Sequence, residues 1–95
     1  MRFPAGIFKV KDKSMEPGLV SGDFLFVTSA CGKPKVGDIV VLKHPSKSIY
    51  IVKRVSAING CEVFVIGDNK DQSEDSRDFG SIDVRSIMGK VVFKI

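Results

Sequence analysis

Two side chains in this sequence stand where serine chemistry would need them. The first is Ser14, in Lys13-Ser14-Met15-Glu16-Pro17-Gly18. The residues before it, Gly6 to Lys11, alternate apolar and basic types as a half-buried edge strand does. Pro17-Gly18 then forbids the strand from continuing. A hydroxyl where a strand breaks into a turn is expected to be presented rather than packed, although alone it reads as an ordinary turn serine. The second is Lys53. Ile49, Ile51, Lys53 and Val55 share one face of a predicted strand, because side chains alternate with period two. A lysine in an apolar stripe either snorkels to the surface or is a desolvated amine of lowered pKa. A neutral amine of the second kind takes the proton of an attacking serine and returns it to a leaving amine.

Other chemistries find fewer residues. A Ser-His-Asp arrangement would have to use His44, the one histidine, which precedes Pro45 in a Lys-rich turn and is expected to be exposed. Ser-x-x-Lys, Gly-x-Ser-x-Gly and His-Glu-x-x-His do not occur. The acidic stretch from Asp68 lacks the spacing of a calcium loop. Cys31 and Cys61 alone cannot make a zinc site, so neither metal nor cofactor is expected. A disulfide between them is unforced; two free, partly buried thiols in a reducing compartment are the expectation.

The elements that would position Ser14 and Lys53 are strands. Short Val-, Ile- and Phe-rich runs separated by turn signals point to a small all-β domain. Strands are predicted at Phe24–Thr28, Ile39–Lys43, Ser48–Ala57, Glu62–Ile66 and Gly89–Ile95, with Asn59-Gly60 as a hairpin turn. Gly67–Gly80 reads as a polar loop, and Ile82–Ile87 as at most one helical turn. With 95 residues and no linker or repeat, residues 1–95 are expected to form a single domain.

The net charge is +4, but Lys and Arg are scattered, and five of the eleven acids fall between Asp68 and Asp78. That pattern reads mainly as solvation, compatible with a membrane surface or a membrane-anchored partner. No apolar run approaches the ~20 residues of a transmembrane helix, and the first residues lack the apolar core of a secretion signal. A soluble or membrane-peripheral chain is the expectation.

Four stretches, in order, resemble the motifs of type I signal peptidases and their relatives. They are Ser14-Met15-Glu16-Pro17, Gly37-Asp38-Ile39-Val40-Val41, Tyr50-Ile51-Val52-Lys53-Arg54-Val55, and the run from Gly67-Asp68-Asn69 through Ser73-Glu74-Asp75-Ser76-Arg77-Asp78 to Gly80. The resemblance spans about Val10 to Val92, and its last stretch is the most specific. It implies the small, coiled, partly open β-barrel of the signal peptidase and LexA-like catalytic core. It implies Ser14 as the acylated nucleophile, Lys53 as general base, and Ser73 as the hydroxyl that orients the amine. Asp75 and Arg77 would be a salt-bridged pair bracing the loop. Val10, Met15 and Val52 would line a shallow apolar pocket for a small substrate residue. The substrate would be an extended segment of a precursor protein, lying between the strand before Ser14 and the strand of Lys53. Lysine at position 53 sides with the bacterial and mitochondrial type, since the endoplasmic-reticulum type has histidine there.

The chain departs from that pattern in four ways. It shows no membrane-spanning segment, and Lys53 and Gly67 are separated by a short hairpin where many members insert a β-domain. Gly18 stands where threonine is usual. Asp12 stands where some members place a serine hydroxyl as oxyanion donor; an ionised Asp12 would only accept, and it is expected to turn outward toward Lys11 or Lys13. The implied activity is a Ser–Lys endopeptidase removing an N-terminal signal or pro-segment. Small unanchored relatives that mature nickel-type superoxide dismutase suggest the alternative of a cytosolic precursor. LexA-like self-cleavage would need an internal cleavage segment, and Ala5-Gly6 lies too near Ser14. A non-catalytic basic β-barrel binding nucleic acid or anionic lipid would need exposed aromatics among Lys and Arg. The seven Phe and one Tyr lie mostly in apolar strands and read as core, so no nucleic acid is expected.

Overall fold

A computed structural model describes residues 5–29 and 33–95. Seven strands form one sheet: β1 (Ala5–Lys9), β2 (Phe24–Thr28), β3 (Ile39–Lys43), β4 (Tyr50–Asn59), β5 (Glu62–Ile66), β6 (Ile82–Asp83) and β7 (Ile87–Lys94). Their order across the sheet is β1-β2-β7-β3-β4-β5-β6, and every pairing is antiparallel. The architecture is all-β, a curled half-barrel open between β1 and β6. Register shifts between Phe26 and Val27, Val41 and Leu42, and Val55 and Ala57 supply the curl, since an extra residue on one strand bends and twists a ladder locally.

The hairpin joining β4 to β5 pairs Asn59 with Glu62 and turns at Gly60-Cys61, one residue beyond the predicted Asn59-Gly60, with Gly60 at φ 62°, the left-handed conformation that glycine adopts without steric cost. The acidic stretch is not plain loop. It contains a 3-10 turn at Lys70–Gln72 and a short helix, α1 (Ser76–Phe79). A second 3-10 turn, Val84–Ser86, separates β6 from β7, so short helical turns number three among the described residues instead of one at most. No helix among them is long and apolar enough to cross a membrane.

Two apolar clusters flank the sheet. Val10, Met15, Leu19, Leu25, Val27, Val41 and Val52 make one. Val40, Leu42, Ile51, Val55, Val63, Val65 and Ile82 make the other. Neighbours such as Val40 and Val41, or Ile51 and Val52, enter opposite clusters, as period-two alternation requires. The aromatic expectation is corrected in part here: no described Phe or Tyr is fully buried, and only Phe8 and Phe79 pack half-buried against the two clusters. Alternation puts aliphatic residues inward and leaves Phe24 and Phe93 on the surface, with the Phe26 and Phe93 rings stacked at 5.1 Å. Cys61 is exposed and free, not partly buried as expected, because it follows Gly60 at the hairpin tip. Cys31 lies outside the described residues.

Candidate active site

Lys53 is set by strand register. It lies opposite Val40 of β3, on the face of β4 that carries Ile51 and Val55 into the second cluster. Ile49, expected on the same stripe, precedes β4 and is exposed. The lysine does not snorkel: it is 2% exposed. Burial pushes its amine below the ordinary lysine pKa, against the opposing pull of the Asp12, Asp75 and Glu74 carboxylates, while Arg77 adds to the lowering. The amine Nζ donates to Ser73 Oγ at 3.2 Å.

Ser73 has its own proton committed elsewhere, donating to Asp75 Oδ2 at 2.6 Å. That carboxylate is fully buried and receives further donors. Gly67 N–H reaches it at 2.8 Å, Arg77 Nη2 at 2.7 Å, Arg77 Nε at 2.9 Å and Arg77 N–H at 3.1 Å. Burial alone would raise the Asp75 pKa, but the bonds from Arg77, Ser73 and the backbone hold it well below the usual carboxylate range. Asp75 also caps α1 in a reciprocal box, its own N–H donating to Asp78 at 3.0 Å. One carboxylate thus starts the helix, anchors β5 through Gly67 and fixes Ser73. Ser76 Oγ adds a second tie by accepting Val65 N–H at 2.9 Å.

Ser14 arrives from the other half of the sheet, in the turn after β1. Its carbonyl accepts Asn69 N–H at 2.8 Å, and Asn69 Nδ2 donates to Lys13 O at 3.0 Å, stitching the Ser14 segment to the acidic loop. Gly67 is where the two meet. A Cβ there would fall on Ser73 Oγ and lie 2.6 Å from Ser14 O. Nothing local in the sequence announces that role, because the close approach comes from a segment more than fifty residues away.

Two expectations about this segment are corrected. Ser14 is not presented but 1% exposed, because the acidic loop closes over the turn. Asp12 turns inward, not toward Lys11 or Lys13: its Oδ1 accepts Ser14 N–H at 3.1 Å and Ser14 Oγ at 2.9 Å. The hydroxyl proton of Ser14 therefore points at Asp12 in this structure, and no Ser14–Lys53 hydrogen bond forms among the described residues.

The pocket residues divide. Val10 and Val52 meet on the wall of a shallow groove shared with Phe8, Lys11, Asp12, Tyr50 and Ile51. Met15 lies in the core and does not line that groove. The groove runs between the strand leading to Ser14 and the start of β4. His44, expected to be exposed, is 3% exposed. Its Nδ1 accepts Ser46 N–H at 3.1 Å and Lys47 N–H at 3.2 Å, so Nε2 carries the proton toward Glu74 Oε1 at 3.1 Å. It ties the β3–β4 turn to the acidic loop, a link invisible in a lone histidine before proline. Among the described residues no cluster of His, Cys, Asp and Glu is placed to hold a metal ion.

A protein-family model described as Peptidase S24-like matches residues 3–92. The chain belongs to the Peptidase S24-like family. Curated relatives include the signal peptidase complex catalytic subunit SEC11 of Candida tropicalis, 49% identical over 49 residues, covering 52% of this chain and 30% of the relative. The same subunit of Clavispora lusitaniae is 47% identical over 49 residues, with the same coverage. The chain spans about 30% of the length of these relatives.

Proposed function

We propose that this S24-like chain is a serine endopeptidase that removes an N-terminal signal or pro-segment from precursor proteins, with Ser14 as nucleophile and Lys53 as general base. The observation that carries the reading is the Lys53–Ser73–Asp75–Arg77 line. Because the Ser73 proton is held by an ionised Asp75, Ser73 can only accept from Lys53. A neutral Lys53 then spends one N–H on Ser73 and keeps its lone pair for the serine proton.

In the proposed reaction Ser14 Oγ attacks the scissile carbonyl as its proton passes to Lys53 Nζ. The tetrahedral intermediate collapses as the ammonium returns that proton to the leaving amine. Water, deprotonated by the same amine, then attacks the acyl carbonyl, and the ammonium returns the proton to Ser14 Oγ as the Ser14–acyl bond breaks. Substrate would lie extended along the groove, with a small residue against Val10 and Val52. Met15 would support that wall from the core instead of touching substrate. Similarity to catalytic subunits of signal peptidase complexes favours a precursor delivered at a membrane or by a membrane-anchored partner.

Peptide-mixture cleavage mapped by mass spectrometry tests the reading, with Ser14→Ala, Lys53→Met and Lys53→Arg compared and circular dichroism confirming each fold. All three should abolish cleavage, since a guanidinium does not lose its proton in proteins. Wild-type rates in a folded Lys53→Arg protein would overturn the mechanism.

A further inference from the structure

Asp12 folds back onto the residue two positions ahead of it, and one oxygen, Oδ1, takes both Ser14 donors, the amide at 3.1 Å and the hydroxyl at 2.9 Å. In acyl transfer the nucleophile's own amide is a natural donor to the carbonyl oxygen that becomes the oxyanion. Here an anionic oxygen already sits on that donor. A hydroxyl proton aimed at a carboxylate is also not aimed at an amine.

We propose that Asp12 is a built-in occupant of the oxyanion position, a plug that the incoming peptide must displace before Ser14 can attack. The proposal rests on reading Ser14 as the nucleophile. Asp12 lines the groove in which substrate would lie, together with Val10, Lys11 and Val52. An extended peptide whose scissile carbonyl reaches the Ser14 amide competes for the place Oδ1 holds.

The same carboxylate faces Lys53. The charged groups around that amine are Asp12, Asp75, Glu74 and Arg77, and Asp12 is the largest of the carboxylate influences that favour the ammonium form. Asp75 is locked by Arg77, Ser73 and Gly67. Glu74 is held by His44 and Lys47. Among the described residues Asp12 is tied to Ser14 alone, and it lies at the surface. It is the carboxylate free to leave. Its outward rotation would do two things together: vacate the Ser14 amide and withdraw a negative charge that keeps a proton on Lys53. Base and oxyanion donor would then become available when substrate is seated, and the empty site would stay quiescent.

Asp12→Asn and Asp12→Ala separate the two effects. Asparagine keeps an oxygen acceptor for Ser14 and loses the charge; alanine loses both. The Lys53 amine is titrated by NMR in labelled protein without substrate, alongside the pH profile of kcat/KM for a cleaved peptide. In both variants the Lys53 titration and the acid limb of the profile should move to lower pH. In Asp12→Ala, kcat/KM near neutral pH should rise about 5- to 10-fold, the factor set by one hydrogen bond of ordinary net strength. A Lys53 titration unmoved in folded Asp12→Asn overturns the proposal, as does a fall in kcat/KM for Asp12→Ala with an unmoved acid limb. A titration that moves while no form of the protein cleaves peptide keeps the charge coupling and overturns the peptidase reading instead.

Discussion

Replacing Gly67 with alanine should disable the site while adding a single methyl group. A Cβ at this position would meet Ser73 Oγ, and it would lie 2.6 Å from both Ser14 O and Ser73 Cβ. Ordinary contact begins at 3.4 Å, so Ser14 O and Ser73 Cβ must each yield 3.4 less 2.6, or about 0.8 Å, and Ser73 Oγ more than that. Ser14 O is held by Asn69 N–H, and Gly67 N–H is itself bound to the buried Asp75 carboxylate. The displacement therefore falls on Ser73, the side chain whose Oγ accepts from Lys53 Nζ. Overpacking of this kind costs ~1–3 kcal/mol of stability, and a misplacement near 1 Å costs ~10²-fold in rate. Gly67→Ala should unfold at lower urea concentration and lose about two orders of magnitude in kcat, with KM little changed. Gly18→Ala is the control, because its Cβ would meet Met15 O at an ordinary 3.8 Å. A Gly67→Ala protein with wild-type kcat and urea midpoint would refute the idea that close packing at Gly67 positions Ser73 and Lys53.

Two further outcomes follow from the same network. Lys53→Met should be inactive yet more stable than wild type by about 1 kcal/mol or more at neutral pH, since an apolar side chain of similar volume removes a buried ionisable group. Because Lys53 has a lowered pKa, the unfolded chain binds more protons between the folded and ordinary lysine values. Wild-type stability therefore rises with pH through that window, and the advantage of methionine should fade there in denaturant titrations. Ser73→Ala should lower kcat with KM little changed. Ser76→Ala should instead cost ~1–3 kcal/mol of stability by stranding the buried Val65 N–H; equal kcat losses at both serines would mean the loop serves folding alone.

What could be read in advance depended on whether a residue's role is local. Strands β2, β3 and β5 match their predicted bounds to the residue, because Gly22-Asp23, Gly37-Asp38 and Asn59-Gly60 punctuate them. Strand β4 begins at Tyr50, not Ser48, and ends at Asn59, because the hairpin continues the ladder to the turn itself. The aromatic residues were misplaced because an apolar strand does not declare which face is inward. The face that Lys53 occupies was legible because its neighbours set it, but whether its amine snorkels or stays buried was not, since that depends on the loop packed over it. Asp12 was not: whether a short carboxylate turns toward Ser14 or toward solvent is a rotamer choice that spacing leaves open. His44 and Gly67 act through segments distant in sequence, and composition carries no trace of either contact.

The place of β7 has a consequence for how such a molecule is made. It lies between β2 and β3, so it is the strand that joins the serine half of the sheet to the lysine half, and it is the last of the seven to be synthesised. A nascent chain lacking those residues has a β1–β2 hairpin and a β3–β6 meander with no ladder between them. Ser14 and Lys53 then stand on pieces that no strand pairing joins, and the sheet becomes continuous between them only when β7 is threaded into the gap.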